Sequence, residues 1–174
     1  MDLFGTAGIR GGVEDRVTPA LALAVGRAVA AEIRSRAEES PAESTVVLAL
    51  DGRVTGPALA AAMEAGLTAG GVDVRRAGRL PTPALAHASQ GRYGVMLTAS
   101  HNPPTDNGIK LFRDGVEFDR DAERAVESRV ADEEAVAAWD EWTEATRADP
   151  LGDYLDGVRE YAAGFGADLD VDRV

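Results

Sequence analysis

The stretch from Gly94 to Phe112 limits the fold most, because it joins two predicted strands through a segment that cannot be helical. Val95–Leu97 is a short apolar run of the kind that forms a buried strand, and Ile109–Phe112 predicts a second strand. Between them, two consecutive prolines and an Asn-Gly pair exclude a helix and define the course of a loop. Ser100 therefore lies where a buried strand opens into a rigid loop, a common position for reactive groups.

Apolar strands and amphipathic helices alternate along the rest of the chain. Thr45–Leu50 is a continuous apolar run, typical of a strand in a parallel sheet covered on both faces. Pro19 begins a helix in which Val25, Val29 and Ile33 form one apolar stripe. This alternation predicts an α/β fold: a three-layer α/β/α domain around a mixed, mostly parallel sheet of about four to five strands.

Weaker signals predict the remaining elements. Val72–Arg76 is interpreted as a short strand, and Asp114-Gly115 as the turn of a hairpin. After an acidic helix that begins near Asp119, Val136 and Trp139 predict a further apolar helical stripe. The last elements are a linker over Arg147–Gly152 and a helix over Asp153–Phe165, whose apolar stripe we expect to need a partner surface elsewhere.

Composition and charge exclude some classes of partner. The net charge is −12 and the isoelectric point is near 4.6, so neither nucleic acid nor an anionic membrane is an expected partner. The acidity favours a protein from a high-salt cell, with a GC-rich genome as the alternative explanation. The chain has no cysteine, and residues 1–4 lack the features of a signal peptide. We therefore predict a cytoplasmic protein.

Four motifs of this chain resemble those of the α-D-phosphohexomutases, which include phosphoglucomutases, phosphomannomutases and phosphoglucosamine mutases. Thr98–Pro104 reads TASHNPP, and Asn107–Lys110 reads NGIK, which is similar to the phosphoserine loop of that family. Phe4–Gly11 reads FGTAGIRG, Asp51–Gly56 reads DGRVTG, and Pro81–Pro83 reads PTP. The motifs occur in the order and at about the spacing found in the family, so their joint match is specific.

The resemblance implies a fold division and an activity. Residues 1–148 would be the first phosphohexomutase domain, and residues 149–174 the linker and first helix of a truncated second domain. The full-length enzyme would interconvert hexose 1-phosphate and hexose 6-phosphate through a phosphoserine and a sugar bisphosphate, with mannose or glucose phosphates favoured. The alternative is a stand-alone, non-catalytic phosphosugar-binding or scaffold module. A homodimer is left open.

The resemblance makes Ser100 the phosphate carrier, because a hydroxyl can hold a phosphoryl group covalently and divide one transfer into two. Lys110 would be the general acid/base, and it is the only lysine in the chain. We expect it to be buried beside Arg10. His101 is grouped with these catalytic residues, but as a residue that orients the loop or the phosphate. A Ser–His hydrolase dyad is disfavoured because adjacent residues of an extended chain point to opposite faces.

Arg10 follows Gly8-Ile9 and precedes two glycines, so its planar fork could approach a phosphate closely. Asp51 and Arg53 are interpreted either as an ion pair that supports the site or as substrate contacts, and both interpretations stay open. The predicted phosphate-binding residues are Thr6, Arg10, Asn102 and Asn107.

The family also implies one Mg²⁺, bound through the phosphate on Ser100 with most ligands in a second domain. Asp168, Asp170 and Asp172 resemble the family's alternating acidic metal loop. Leu169 and Val171 replace the glycines of that loop, so we interpret the run as the acidic approach to a strand.

Overall fold

The computed structural model describes residues 3–37 and 44–164. Within them, seven strands form one sheet that five α-helices cover. The strands are β1 (Ile9–Gly12), β2 (Thr45–Leu50), β3 (Asp73–Arg79), β4 (Tyr93–Leu97), β5 (Asp106–Arg113), β6 (Val116–Glu117) and β7 (Ala145–Arg147). The helices are α1 (Pro19–Ala37), α2 (Gly56–Ala69), α3 (Thr82–Ala88), α4 (Arg120–Ala131) and α5 (Leu151–Ala163).

The sheet has the order β1-β5-β4-β2-β3-β7, and β6 pairs with β5. The pairs β4–β2, β2–β3 and β3–β7 are parallel, whereas β1–β5, β4–β5 and β5–β6 are antiparallel. The α/β class and the mixed sheet are confirmed. The expected number of strands was too low, and parallel pairs are not the majority, because the loop after β4 reverses the chain and β1 and β6 then pair antiparallel with β5.

The two faces of the sheet are both buried, which makes three layers. On one face Val46 and Leu48 of β2 pack in the larger core with residues of α1, α2 and α4. On the other face Val47 and Ala49 pack with Leu85 of α3. Successive residues of β2 thus enter different cores, as the alternation of a strand requires. This explains why its sequence is apolar without a break.

Three of the weaker sequence predictions need correction. Val136 and Trp139 do not form a buried helical stripe: their exposed fractions are 41% and 86%, and Trp139 begins a single 3-10 turn. Arg147 is the end of edge strand β7 rather than part of a linker. Strand β3 extends to Arg79, three residues beyond the predicted Arg76. In contrast, Asp114-Gly115 is the predicted hairpin turn, with positive φ angles of 51° and 78°.

Helix α5 begins at Leu151 rather than Asp153, and the predicted end at Phe165 lies outside the described residues. Its Tyr154 meets His87 of α3 edge to face, with ring centroids 5.9 Å apart. Leu155 and Val158 stay about half exposed. Among the described helices, none has the length and apolarity needed to span a bilayer.

Helices α1 and α2 approach closely through two glycines. A Cβ atom built on Gly66 of α2 would lie 2.3 Å from the backbone oxygen of Leu23 and 3.0 Å from the Cα of Gly26. A Cβ on Gly26 would lie 2.5 Å from the backbone oxygen of Met63. Because these neighbours are backbone atoms, no side chain can rotate away to make room. The spacing between the two helices therefore depends on glycine at both positions.

We predict that Gly66→Ala lowers the free energy of unfolding by about 1–3 kcal/mol, because the added methyl group forces the two helices apart. Denaturant unfolding measures the change. The matched control is Gly152→Ala in α5, where a Cβ would meet nothing within 4 Å. Equal stabilities for the two variants would show that α1 and α2 tolerate a wider spacing.

Candidate active site

Ser100 is exposed in a turn three residues after the end of β4. Its φ angle is +54°, in the left-handed region that non-glycine residues seldom adopt and that costs about 1–3 kcal/mol. Its backbone N–H donates to Thr98 Oγ1 at 3.0 Å, and the N–H of Asn102 donates to the oxygen of Ala99 at the same distance. The local backbone thus holds the hydroxyl outward at the edge of the sheet.

The Ser100 loop (residues 98–106) is held chiefly by the guanidinium of Arg53. Nη1 donates to the carbonyl oxygens of Pro103 at 2.7 Å and Asp106 at 2.9 Å. Nη2 donates to those of Ser100 at 3.0 Å and Asn102 at 2.9 Å. The Arg53 side chain is only 12% exposed. One planar group therefore binds backbone oxygens along most of the loop, which a point charge could not do.

Asp51 holds Arg53 in place. Its Oδ2 accepts a hydrogen bond from Arg53 Nε at 3.2 Å and another from Thr98 Oγ1 at 2.7 Å. Its Oδ1 accepts from the Arg53 backbone N–H at 2.9 Å. These residues meet because β2 and β4 are parallel neighbours, so the loops that follow them begin at the same edge of the sheet. Asp51 and Arg53 form an ion pair that binds the Ser100 loop. Of the two predicted interpretations, a supporting ion pair or substrate contacts, this geometry corresponds to the first.

Arg10 reaches Ser100 from strand β1. Its Nη2 donates to Ser100 Oγ at 3.2 Å, and its Nε donates to the oxygen of Ala7, also at 3.2 Å. Arg10 pairs with Gly108, where a Cβ would lie 3.1 Å from Arg10 Cγ and 2.5 Å from the oxygen of Thr98. Glycine is thus required for this approach.

The partner of the Ser100 hydroxyl decides between two kinds of chemistry. Arginine stays charged and cannot accept a proton, so Arg10 does not act as a general base toward Ser100. A permanent cation beside the hydroxyl instead suits an anion carried there. His101 is exposed in the same turn. The arrangement fits a phosphate carrier better than a hydrolytic serine.

Lys110 has an anionic partner that the sequence did not indicate. Its Nζ lies 2.9 Å from each carboxylate oxygen of Glu117 on β6. The Lys110 side chain is 13% exposed and its ammonium pairs with Glu117, whereas the expected position beside Arg10 stays a prediction.

The other predicted phosphate-binding residues differ in their positions. Thr6 is exposed in the segment before β1, and Asn102 donates to Asp106 Oδ2 at 3.0 Å. Asn107 is fully buried: its Nδ2 donates to Thr55 Oγ1 at 3.0 Å, and its Oδ1 accepts from the N–H of Gly108 at 2.8 Å. An enclosed amide cannot contact a phosphate, so we place Asn107 among the residues that support the site.

The hydrogen-bond network around the Ser100 loop includes three more residues, to which the sequence analysis assigned no function: Thr98, Asp106 and Thr55. Thr98 joins Asp51 to the Ser100 amide, Asp106 bonds Asn102, and Thr55 bonds the buried Asn107. Thr98 lies in the TASHNPP motif and Thr55 in the DGRVTG motif, so membership of a motif is the sequence signal that could have identified them. Asp106 lies between the motifs, so only the folded loop shows its function.

The described residues do not supply a metal site by themselves. Within residues 3–37 and 44–164, no three histidine, aspartate or glutamate side chains are grouped so that they could hold an ion. The Asp168–Asp172 run lies outside these residues. A Mg²⁺ site therefore stays a prediction from the resemblance.

Comparisons with known proteins agree on one family. Residues 1–137 match the family described as phosphoglucomutase/phosphomannomutase, alpha/beta/alpha domain I. A phosphopentomutase from Thermococcus kodakarensis is 41% identical over 165 residues, which are 92% of this chain and 35% of that protein. A phosphoglucosamine mutase from Synechococcus is 46% identical over 134 residues, which are 75% of this chain and 28% of that protein.

Solved structures give the same result. A phosphoglucomutase/phosphomannomutase family protein from Burkholderia thailandensis superposes with a TM-score of 0.76 at 30% identity, over 88% of this chain and 34% of that one. A putative phosphomannomutase from Thermus thermophilus gives the same TM-score at 29% identity, over 91% of this chain and 35% of that one. The chain thus spans about a third of the length of these proteins.

We predict that Arg53→Lys loosens the Ser100 loop, because an ammonium cannot bind the four carbonyl oxygens that the guanidinium binds. The expected loss of stability is about 1–3 kcal/mol. Amide hydrogen exchange of Asn102 and Asp106 should accelerate. Arg79→Lys, at an exposed position on β3, is the control. Unchanged exchange in Arg53→Lys would mean that the prolines alone define the loop.

Proposed function

The chain belongs to the phosphoglucomutase/phosphomannomutase family, and from that membership we propose that residues 1–148 are the first domain of a phosphohexomutase. In this proposal the full-length enzyme interconverts hexose 1-phosphate and hexose 6-phosphate through a phosphoserine and a sugar bisphosphate. Residues 149–174 lead into a second domain. A cytoplasmic location and a high-salt cell remain predictions from the sequence.

The contact between Arg10 Nη2 and Ser100 Oγ, at 3.2 Å, is the observation that carries the proposal. It places a permanent cation, from strand β1, beside an exposed hydroxyl on the loop whose backbone oxygens Arg53 binds. A phosphoryl group on Ser100 Oγ would extend from the same atom, beside the guanidinium. Arginine forks bind phosphate oxygens in pairs, so Arg10 is suited to hold that group.

The proposed chemistry is two phosphoryl transfers in opposite directions. In the first, the P–O bond to Ser100 Oγ breaks and a bond forms from phosphorus to a hydroxyl oxygen of the sugar phosphate. As that bond breaks, Lys110 gives a proton to the departing Ser100 oxygen and takes the proton of the attacking sugar hydroxyl, so it acts as general acid and general base in one transfer. The resulting bisphosphate returns its other phosphate to Ser100 by the reverse exchange: the Ser100 hydroxyl gives its proton to Lys110, and Lys110 gives one to the departing sugar oxygen. Catalysis of this kind depends mostly on positioning and charge stabilisation.

The proposal keeps the remaining predicted site residues. His101 and Asn102 would orient the loop or the phosphate on Ser100, and Thr6 would bind phosphate with Arg10. Asp51 and Arg53 support the loop, together with Asn107. Mg²⁺ stays a prediction: when bound, it would neutralise charge on the transferred phosphate, with the phosphate on Ser100 as its ligand in this domain.

The identity of the sugar is not assigned beyond hexose phosphates. The relatives include a phosphopentomutase and a phosphoglucosamine mutase at 41% and 46% identity. Proteins named for different sugars thus share this domain at comparable identity. The similarity to these relatives therefore supports a shared phosphoryl carrier. The predicted preference for glucose or mannose phosphates stays a proposal.

The second candidate is a non-catalytic phosphosugar-binding module. Such a module would use Arg10 to bind phosphate but would transfer no phosphoryl group. The two candidates differ in turnover. We expect the 174-residue chain alone to be inactive and the full-length protein to be active, whereas a module would be inactive in both forms.

We predict that Ser100→Ala in the full-length protein reduces mutase activity to background, because it removes the hydroxyl that carries the phosphoryl group in this proposal. A coupled assay with glucose, mannose and glucosamine 1-phosphates measures it. Ser128→Ala, on the exposed surface of α4, should keep full activity. Substantial turnover by Ser100→Ala would refute the phosphoserine mechanism.

We predict that Lys110→Met in the full-length protein lowers kcat by about 10²–10⁴-fold, with a much smaller change in KM. The reason is that a proton carrier acts mainly in the transition state. Steady-state kinetics at saturating and limiting substrate separate the two constants. A change confined to KM would assign Lys110 to phosphate binding alone.

A further inference from the structure

The ammonium of Lys110 and the carboxylate of Glu117 form a two-oxygen ion pair that the proposed chemistry does not use. Both Nζ–Oε distances are 2.9 Å. Glu117 is 40% exposed and lies in the two-residue strand β6, after the Asp114-Gly115 turn. The residue that moves protons in the proposed mechanism is therefore bound here by a carboxylate.

The register of the sheet places Lys110 between a cation and an anion. On β5, Gly108 is paired with Arg10 of β1, and Phe112 is paired with Glu117 of β6. Alternate residues of a strand share a face, so Arg10, Lys110 and Glu117 lie on one face of the sheet. Along β5, the positions of Gly108, Lys110 and Phe112 follow one another at intervals of about 7 Å, from the rise of a strand.

Glu117 lies at the end of this row that is farther from Ser100. Thr98 donates its N–H to the oxygen of Gly108, so the Ser100 loop adjoins the Arg10 end. A Cβ built on Gly8 would lie 3.1 Å from Lys110 Cγ, so the Lys110 stem passes close over the backbone of Gly8. From this stem the ammonium has two directions: toward Glu117, as observed, or toward Arg10 and Ser100.

Charge decides between these directions. With no anion on Ser100, Arg10 repels the ammonium and Glu117 attracts it. A phosphate carries nearly two negative charges near neutral pH, so a phosphate on Ser100 reverses the balance. Ion pairs with an exposed partner are weak, so a nearby dianion can displace Glu117.

We propose that Glu117 is a positioning residue that holds Lys110 away from Ser100 until a phosphate is present there. This inference rests on the proposed function, since it assumes that Ser100 carries phosphate. Glu117 and the phosphate compete for one ammonium, so the proton carrier enters the site only when there is a phosphoryl group to transfer. The simpler interpretation, an ion pair that only braces the β5–β6 hairpin, predicts no response to charge at Ser100.

The single lysine makes this directly measurable in the 174-residue chain. Protein labelled with ¹⁵N,¹³C-lysine gives one side-chain amine signal, that of Lys110. Glu117→Gln should shift this signal and accelerate its hydrogen exchange several-fold. Glu160→Gln, which removes the same charge from the exposed surface of α5, should leave it unchanged.

The response to charge at Ser100 is the decisive comparison. Ser100→Asp places a carboxylate on the loop, and aspartate tolerates the positive φ angle of this position. In this variant the chemical shift of the Lys110 amine should differ from its value in the unaltered chain. Adding Glu117→Gln to Ser100→Asp should then change that shift little. Inorganic phosphate titrated into the unaltered chain supplies the charge by a second route and should move the signal in the same direction.

Two outcomes overturn the proposal. If Glu117→Gln leaves the Lys110 signal unchanged, Glu117 does not hold the lysine. If neither Ser100→Asp nor inorganic phosphate moves the signal, the ion pair is only a structural brace. The readout needs no turnover, so failure of the mutase assay would reject the proposed function without changing this result.

Discussion

The guanidinium of Arg53 is the group on which the geometry of the site depends. The Ser100 loop contains two consecutive prolines, which have no N–H, so the loop has fewer backbone donors than carbonyl oxygens to pair. Arg53 binds four of those oxygens, and Asp51 orients it. This interaction balances the unfavourable backbone conformation at Ser100 and keeps its hydroxyl beside Arg10. The position of Ser100 therefore depends on two segments that follow neighbouring strands, one after β2 and one after β4.

Much of the fold could be predicted because its central elements follow simple periodicities. The unbroken apolar run of β2 indicated a strand buried on both faces, and the stripe of α1 indicated a helix packed on that sheet. Strand β6 was indicated only by its Asp-Gly turn, and β7 was not predicted, because two or three residues are too few to show a period. The close approach of Gly26 and Gly66 was also invisible, since it depends on how two helices cross.

The site shows the same division between local and long-range information. The residues of the Ser100 loop could be named from their motif, and the structure brings Arg10, Arg53 and Asp51 to that loop. Asn107 belongs to the same motif, yet its side chain points into the core, where Thr55 binds it. Glu117 carried no sequence signal, because its contact with Lys110 exists only through the register of β5 with β6. A motif identifies which residues matter, whereas strand register decides what each of them touches.

The central claim is that Ser100 carries the phosphoryl group on a loop positioned by Arg53. The most direct test is peptide mapping by mass spectrometry of the full-length protein after incubation with a hexose 1,6-bisphosphate. The account predicts one phosphate, on the peptide that contains Ser100, and its loss when excess hexose monophosphate is added. An active enzyme with its phosphate on another residue, or with none at all, would contradict the account.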